Sequence, residues 1–320
     1  MSSGGASHAD TNPIVARISM SGFPYDISIA PGSPTVYVLN AAGKVSVIDS
    51  ASNRLVGTIQ MRHQISRIAV ARDGEHAYGS NQDDGLISVI DTKTRQEVST
   101  IDVEGHPGAL AVSPDSTLLY VTDLNRRSVS VVDLATQQVG DPIHLPGFLP
   151  LDIAIAPSGH WAYVVGCTGF CTTGTLWIID TTTNTAVSSV SVGGYPTRLA
   201  VSPDGALIYV TNQGDATVSV INATIHSVAI TIPVQPTPMG VAISSDGTRA
   251  YVANLSAGTV SVINTQQSLV VATVPVGVAP KAVALTSDGA FAYVANFNNV
   301  AVVDTRRIIT TAPDPSSSNQ

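Results

Sequence analysis

Apolar residues along this chain come in short runs separated by clusters of Pro, Gly, Asp, Asn and Ser. The stretch from 196 to 233 shows the pattern well. Four runs follow one another: Arg198-Leu199-Ala200-Val201-Ser202, Leu207-Ile208-Tyr209-Val210, Thr217-Val218-Ser219-Val220-Ile221 and Val228-Ala229-Ile230-Thr231-Ile232. Each is too short, and too rich in Val, Ile, Thr and Tyr, to be a helix, so each predicts a strand. Between the first two, Ser202-Pro203-Asp204-Gly205 carries the Pro and Gly that a tight reversal needs: Pro presets φ, and Gly accepts the left-handed region. The unit therefore predicts a small antiparallel sheet of four strands.

The same unit recurs along the chain. A tyrosine stands at 37, 78, 120, 163, 209, 251 and 293, with spacings of 41, 42, 43, 46, 42 and 42 residues. A segment of the form Val-Ser-Val-Ile-Asp follows each one, ending at Asp49, Asp91, Asp133, Asp180, Asn222, Asn264 or Asp304. Thirteen residues before the tyrosine comes a proline (Pro24, Pro107, Pro150, Pro196, Pro238, Pro280), with Ile65 as the exception. A four-stranded sheet repeated at this period marks the blade of a propeller. Seven copies predict an all-β, seven-bladed β-propeller with four antiparallel strands per blade. Ile14 to Met20 reads as a fourth strand with no blade ahead of it, whereas the last repeat lacks one after Asp304. Pairing the two closes the ring and removes an exposed sheet edge. The domain is thus expected over 14–310, flanked by disordered segments at 1–13 and 311–320.

Composition narrows the function classes. Charged residues make up only 12% of the chain and hydrophobic ones 44%, which fits a large core beneath a Ser/Thr/Asn surface. The net charge of −8, with Lys44, Lys93 and Lys281 as the only lysines, leaves no basic stripe for nucleic acid. No apolar stretch reaches the roughly 18 residues of a membrane helix, so no membrane insertion is expected. A closed ring is expected to be a monomer. Residues 1–13 show no secretory leader, which points to the cytoplasm; an exported (periplasmic or extracellular) chain whose leader had been removed would fit the low lysine content as well.

The repeats Tyr120-Val121-Thr122-Asp123, Tyr209-Val210-Thr211-Asn212 and Tyr251-Val252-Ala253-Asn254 resemble the YVTN family of β-propeller repeats, over nearly the whole chain. That resemblance implies several classes at once: secreted or periplasmic binding proteins, surface-layer proteins and, more distantly, lactonases of the phosphogluconolactonase type.

In such a ring, the loops entering each first strand and those joining the second and third strands share one face. Two residues after the proline position the repeats carry Asp26, Arg67, Ala109, Asp152, Arg198, Gly240 and Ala282. The charged four are expected either as inter-blade ion pairs (Asp26 with Arg67, Asp152 with Arg198) or as a polar ring able to hold a carboxylate or phosphate. Blade 4 departs most from the repeat. It contains Phe148, Trp161, Trp177 and a long loop, 166–174, with Cys167, Phe170 and Cys171. Trp161 and Trp177 are expected to pack, whereas Phe170 and the nearby Tyr195, with Phe148, are candidate contacts for a ligand. Cys167 and Cys171 are close enough in sequence to form a local disulfide. Zinc would need His63 or His106 as further ligands, and two aspartates opposed by two arginines are a poor set for a divalent cation, so neither metal nor cofactor is expected. No G-x-S-x-G, P-loop, dinucleotide or H-E-x-x-H motif occurs.

The ligand-contact set is therefore Asp26, Arg67, Phe148, Asp152, Phe170, Tyr195 and Arg198, and the expected role is binding of a small molecule or protein segment at the channel mouth. The alternatives are a lactonase-like hydrolase or lyase at the same mouth and a protein-interaction scaffold. Replacing Arg198 and Phe170 together is expected to abolish binding with little change in melting temperature.

Overall fold

The computed structural model describes residues 12–41 and 43–310. Seven separate antiparallel sheets follow one another around an axis. Blade 1 comprises Pro24–Ile29, Thr35–Asn40, Lys44–Asp49 and Arg54–Gln60, paired in that order. The innermost strands of blades 2 to 7 are Arg67–Val70, Pro107–Val112, Leu149–Ile155, Pro196–Val201, Pro238–Ile243 and Ala282–Leu285. The last blade takes its outer strand from the chain start: Ile14–Ser19 lies antiparallel to Asn299–Asp304, with Arg17 opposite Ala301 and Ser19 opposite Asn299. Ile18 of that strand joins a buried cluster with Tyr293 and Val300 of blade 7 and Ile27 and Val36 of blade 1, so closing the sheet also packs the seam. The flanking segments expected to be disordered lie outside the described residues except for Asn12 and Pro13; the Pro13 carbonyl accepts the Asp304 N–H at 2.8 Å, which anchors the entry to the closing strand.

The repeated residues have concrete tasks. All seven repeat tyrosines are buried in the apolar layers between blades. A buried phenol needs a partner for its hydroxyl. Tyr120 donates to Asn184 Oδ1 in the next blade at 3.2 Å, and Tyr293 of the last blade donates to Asn53 of the first. The asparagine three residues after the tyrosine answers the serine of the following strand: Asn212 Nδ2 donates to Ser219 Oγ at 2.9 Å, and Asn40 Nδ2 to Ser46 Oγ at 3.3 Å. Buried amide and facing serine thus tie the second strand to the third in blades 1, 5 and 6, while the tyrosines tie blade to blade.

Blade 3 differs from the expected unbroken fourth strand. Its outer strand is split into Gln138–Val139 and Ile143–His144 by Gly140-Asp141-Pro142. Proline removes a donor from the ladder and is tolerated only at a sheet edge, which is where this segment lies.

Candidate functional site

The channel mouth is shaped at the start of the innermost strands. In blades 1, 4 and 5 the register slips by one residue just after the proline: Pro24 faces Asn40 while Asp26 faces Leu39, and Pro150/Asp152 and Pro196/Arg198 repeat the arrangement. A bulge re-aims side chains, so the two residues after the proline both serve the mouth.

The aspartates at the second of these positions bind the neighbouring blade. Ile68 N–H donates to Asp26 Oδ2 at 3.0 Å, and Leu199 N–H donates to Asp152 Oδ2 at 2.9 Å. Their remaining oxygens meet one arginine. Arg198 Nη2 lies 2.9 Å from Asp26 Oδ1, reaching from blade 5 to blade 1, and Arg198 Nη1 lies 3.7 Å from Asp152 Oδ1. The expected pairing is corrected accordingly. Asp26 pairs with Arg198 across the channel rather than with Arg67 next door, whereas the expected pair of Asp152 with Arg198 is present, so that one arginine stands between the two carboxyls. All three side chains are largely buried. Burial alone would lower the Arg198 guanidinium, but Asp26 and Asp152 outweigh it and hold it above its ordinary value. The Asp152 carboxyl is pushed up by burial, against the pull of Arg198 and Arg67.

Arg67 is treated differently by its surroundings. Burial first, and the Arg198 charge second, press its guanidinium below the ordinary arginine value, with the aspartates offsetting this only in part. It lines an axial cavity of about 290 Å³ together with Tyr25, Leu151, Thr197, Arg198, Met239 and Lys281. Surface grooves of greater volume lie beside the closing strand and beside the split strand of blade 3. They follow from sheet edges, whereas the axial cavity is where side chains of six blades converge. Tyr25 donates its hydroxyl to the Ile65 carbonyl, and burial, with Asp26 next, pushes its pKa up to about 12.

The residues one place after the proline position were not singled out as a ring by sequence reasoning. They run Tyr25, Ser66, Gly108, Leu151, Thr197, Met239 and Lys281, and five of them line the cavity. Their signal was that no two blades carry the same residue there.

The remaining candidates separate. Phe148 is only 1% exposed and is a core residue, not a ligand contact. The cause lies in blade 4, where Gly166 and Trp177 occupy the places of the asparagine and serine. Phe148 stacks edge-on to Trp177 with centroids 6.4 Å apart, and a Cβ on Gly166 would come within 2.9 Å of the Phe148 ring. An apolar trio thus replaces a polar pair. Trp161 packs against His226 at 6.0 Å, as a structural residue. Phe170, 88% exposed, and Tyr195, 51% exposed, stand on the rim of blades 4 and 5, outside the cavity lining. Tyr195 N–H donates to the Cys171 carbonyl at 2.8 Å, tying the two loops together. On blades 7 and 1 of the same face, the exposed rings of Phe23 and Phe297 stack at 4.3 Å. Cys167 and Cys171 are joined by a disulfide, their Cα atoms 5.0 Å apart, so neither thiol is free for zinc or for nucleophilic attack. His63 pairs instead with Asp84 at 2.9 Å. Among the described residues no three His, Cys, Asp or Glu side chains come together as a metal site.

Fold and site together define a closed seven-bladed β-propeller with a charged axial mouth. No protein-family model matches the chain, and no curated protein does. Among solved structures it is similar to a chain of hydrazine synthase from Kuenenia stuttgartiensis, with 23% sequence identity, a TM-score of 0.80, and coverage of 91% of this chain and 96% of that one. At that identity the likeness concerns the fold alone.

Proposed function

We propose that this propeller is a binding protein whose axial cavity takes up a small molecule at the channel mouth. One observation carries the reading: charged and polar side chains from blades 1, 2, 5 and 7 converge on a single cavity whose remaining wall is Leu151 and Met239. A concave, partly apolar pocket with a few polar groups aimed into it is the usual form of a ligand site. A hydrolase or lyase at this place would need a base or nucleophile facing the cavity, and no carboxylate, histidine or cysteine is among the residues that line it. Binding without chemistry is therefore the better reading.

A second reading has its own support. Phe170 and Tyr195 on one side of the face, and Phe23 and Phe297 on the other, offer exposed rings of the kind enriched in protein contacts. A protein segment laid across the mouth would use them.

A thermal-shift screen of metabolites on the full chain tests the first reading, since a ligand that binds only the native state raises its apparent stability. Hits are expected to vanish in Thr197→Trp, which fills the cavity, and to persist in Phe170→Ser. Hits that respond only to Phe170→Ser would move the site to the rim and favour the second reading.

A further inference from the structure

Resting on the small-molecule reading of the axial cavity, we propose that its ligand is a small organic monocarboxylate, with the oxyanion held by Arg67 and Lys281 and the carbon body against Leu151 and Met239. Most polar groups of the lining are already engaged within the protein. Tyr25 has given its hydroxyl hydrogen to the Ile65 carbonyl. Thr197 Oγ1 is engaged with Thr211 Oγ1 at 2.9 Å and with the Pro238 carbonyl at 3.2 Å. Arg198 is charge-matched by Asp26 at 2.9 Å, with Asp152 at 3.7 Å. Two cations of the lining remain. Among the described residues neither the Arg67 guanidinium nor the Lys281 ammonium has a protein acceptor, and both line the cavity.

A partly buried guanidinium beside another cation calls for an acceptor, and its planar fork fits the two oxygens of a carboxylate. The three cations (Arg67, Arg198, Lys281) outnumber the two carboxyls (Asp26, Asp152), so the mouth calls for an anion, and the apolar wall of Leu151 and Met239 favours one with a carbon body over inorganic phosphate. Arg67 and Lys281 belong to blades 2 and 7, on either side of blade 1, which supplies Tyr25, while Leu151 and Met239 come from blades 4 and 6. Between Leu151 and Met239, blade 5 presents Thr197 and Arg198, both already engaged within the protein, so the cations left for a head group stand on one side and the apolar contacts for a tail on the other. A volume of about 290 Å³ suits a molecule of a few carbons.

The test is calorimetric titration of the full chain with a panel of straight-chain and hydroxy monocarboxylates, each beside its primary amide, with inorganic phosphate as the competing anion. At least one acid is expected to bind about tenfold or more tightly than its amide, the loss that one charge-assisted hydrogen bond represents. Arg67→Met and Lys281→Met are each expected to weaken it by a similar factor, and both variants should retain the melting temperature of the unliganded protein, which separates lost binding from lost folding. Equal binding of acid and amide, tighter binding of phosphate than of any acid, or binding that survives both substitutions would overturn the proposal. A neutral compound whose binding is blocked by Thr197→Trp would sink the carboxylate and leave the cavity reading standing. If Thr197→Trp changes the binding of nothing in the panel or the metabolite screen, both fall together.

Discussion

The two faces of the ring are built by opposite rules. On the face of the tight turns, blade after blade solves the same problem in the same way. Ser113, Ser202, Ser244 and Thr286 each donate a hydroxyl to the aspartate two residues on (Asp115, Asp204, Asp246, Asp288), every time at 2.5 Å. Asp91 and Asp133 each accept from the backbone and hydroxyl of a threonine three residues later. On the channel face, the seven equivalent positions hold seven different residues, from Gly108 to Lys281. A turn dictates its residues because their side chains replace missing backbone partners. At the mouth, proline and bulge already hold the backbone, so the side chain is left open to other demands. Repetition therefore marks what the scaffold needs, and variation marks where function can act.

Arg198 is the place where this division is most easily broken, because a mouth residue there has taken on a scaffold task. Arg198→Met would leave Asp26 and Asp152 buried without their cation, a situation that costs about 3–5 kcal/mol in other proteins. Chemical denaturation is expected to show a loss of that order. Adding Asp26→Asn and Asp152→Asn to the variant should recover most of it, since no uncompensated charge would remain. The earlier expectation that Arg198 can be replaced at little cost in melting temperature is thereby revised. A single variant as stable as the parent would return the trio to the surface and dissolve the distinction.

Acid probes the opposite face. Hydrogen bonds from turn hydroxyls and N–H groups hold Asp49, Asp91, Asp115, Asp133, Asp180, Asp204, Asp246 and Asp288 below the usual carboxylate range, and Arg306 with the local backbone does the same for Asp304. A carboxyl lowered in the folded state contributes in full above its unfolded value of about 3.9, and that contribution is lost as the pH falls through the folded value. Asp152, raised by burial, works in the other sense: the native state takes up its proton first, so it adds some stability on the way down to its unfolded value. Urea midpoints are therefore expected to hold from neutrality to about pH 4 and to drop below it. Asp204→Ala, which strips the Ser202 and Ala206 donors of their acceptor, should cost about 1 kcal/mol at neutral pH and make the acid decline shallower. A midpoint that rises between neutrality and about pH 4 would shift the weight from the turns to the mouth, where Asp152 is the raised carboxyl.

The same division governs how much could be read from residues alone. Blade number, strand order and the closing strand were legible because each blade repeats its tyrosine, its turn and its period, and because Ile14–Ser19 had no sheet of its own. The charged ring was legible as a set, since Asp26, Arg67, Asp152 and Arg198 interrupt an otherwise apolar position. Its pairing was legible only in part: Asp152 does meet Arg198, but Asp26 does so as well, in place of Arg67. Sequence offers neighbours along the ring, whereas Arg198 acts across the axis, a distance no spacing encodes. Phe148 misled because an aromatic residue in an entry loop looks like a contact until Gly166 and Trp177 are seen to make room for it inside. Lys281 passed unnoticed because nothing in a single repeat says that the residue just after the proline lines the channel.

The smallest expected effect is the most discriminating. Arg67 and Arg198 occupy the same position in their repeats, and local sequence gives no reason to treat them differently. Their surroundings do. Arg198 is held by two carboxylates, while Arg67 lies beside Arg198 with its guanidinium pressed below its ordinary value by burial and by that neighbour. In the absence of ligand, Arg67→Met should thus shift stability by no more than about 0.5 kcal/mol, or raise it slightly, as substitutions outside a structural network do. Residues tuned for binding often sit where they do not help the fold. Denaturation of the two single variants side by side decides the matter. If Arg67→Met falls as far as Arg198→Met, the charged ring is one structural network and the mouth holds no arginine set aside for a ligand.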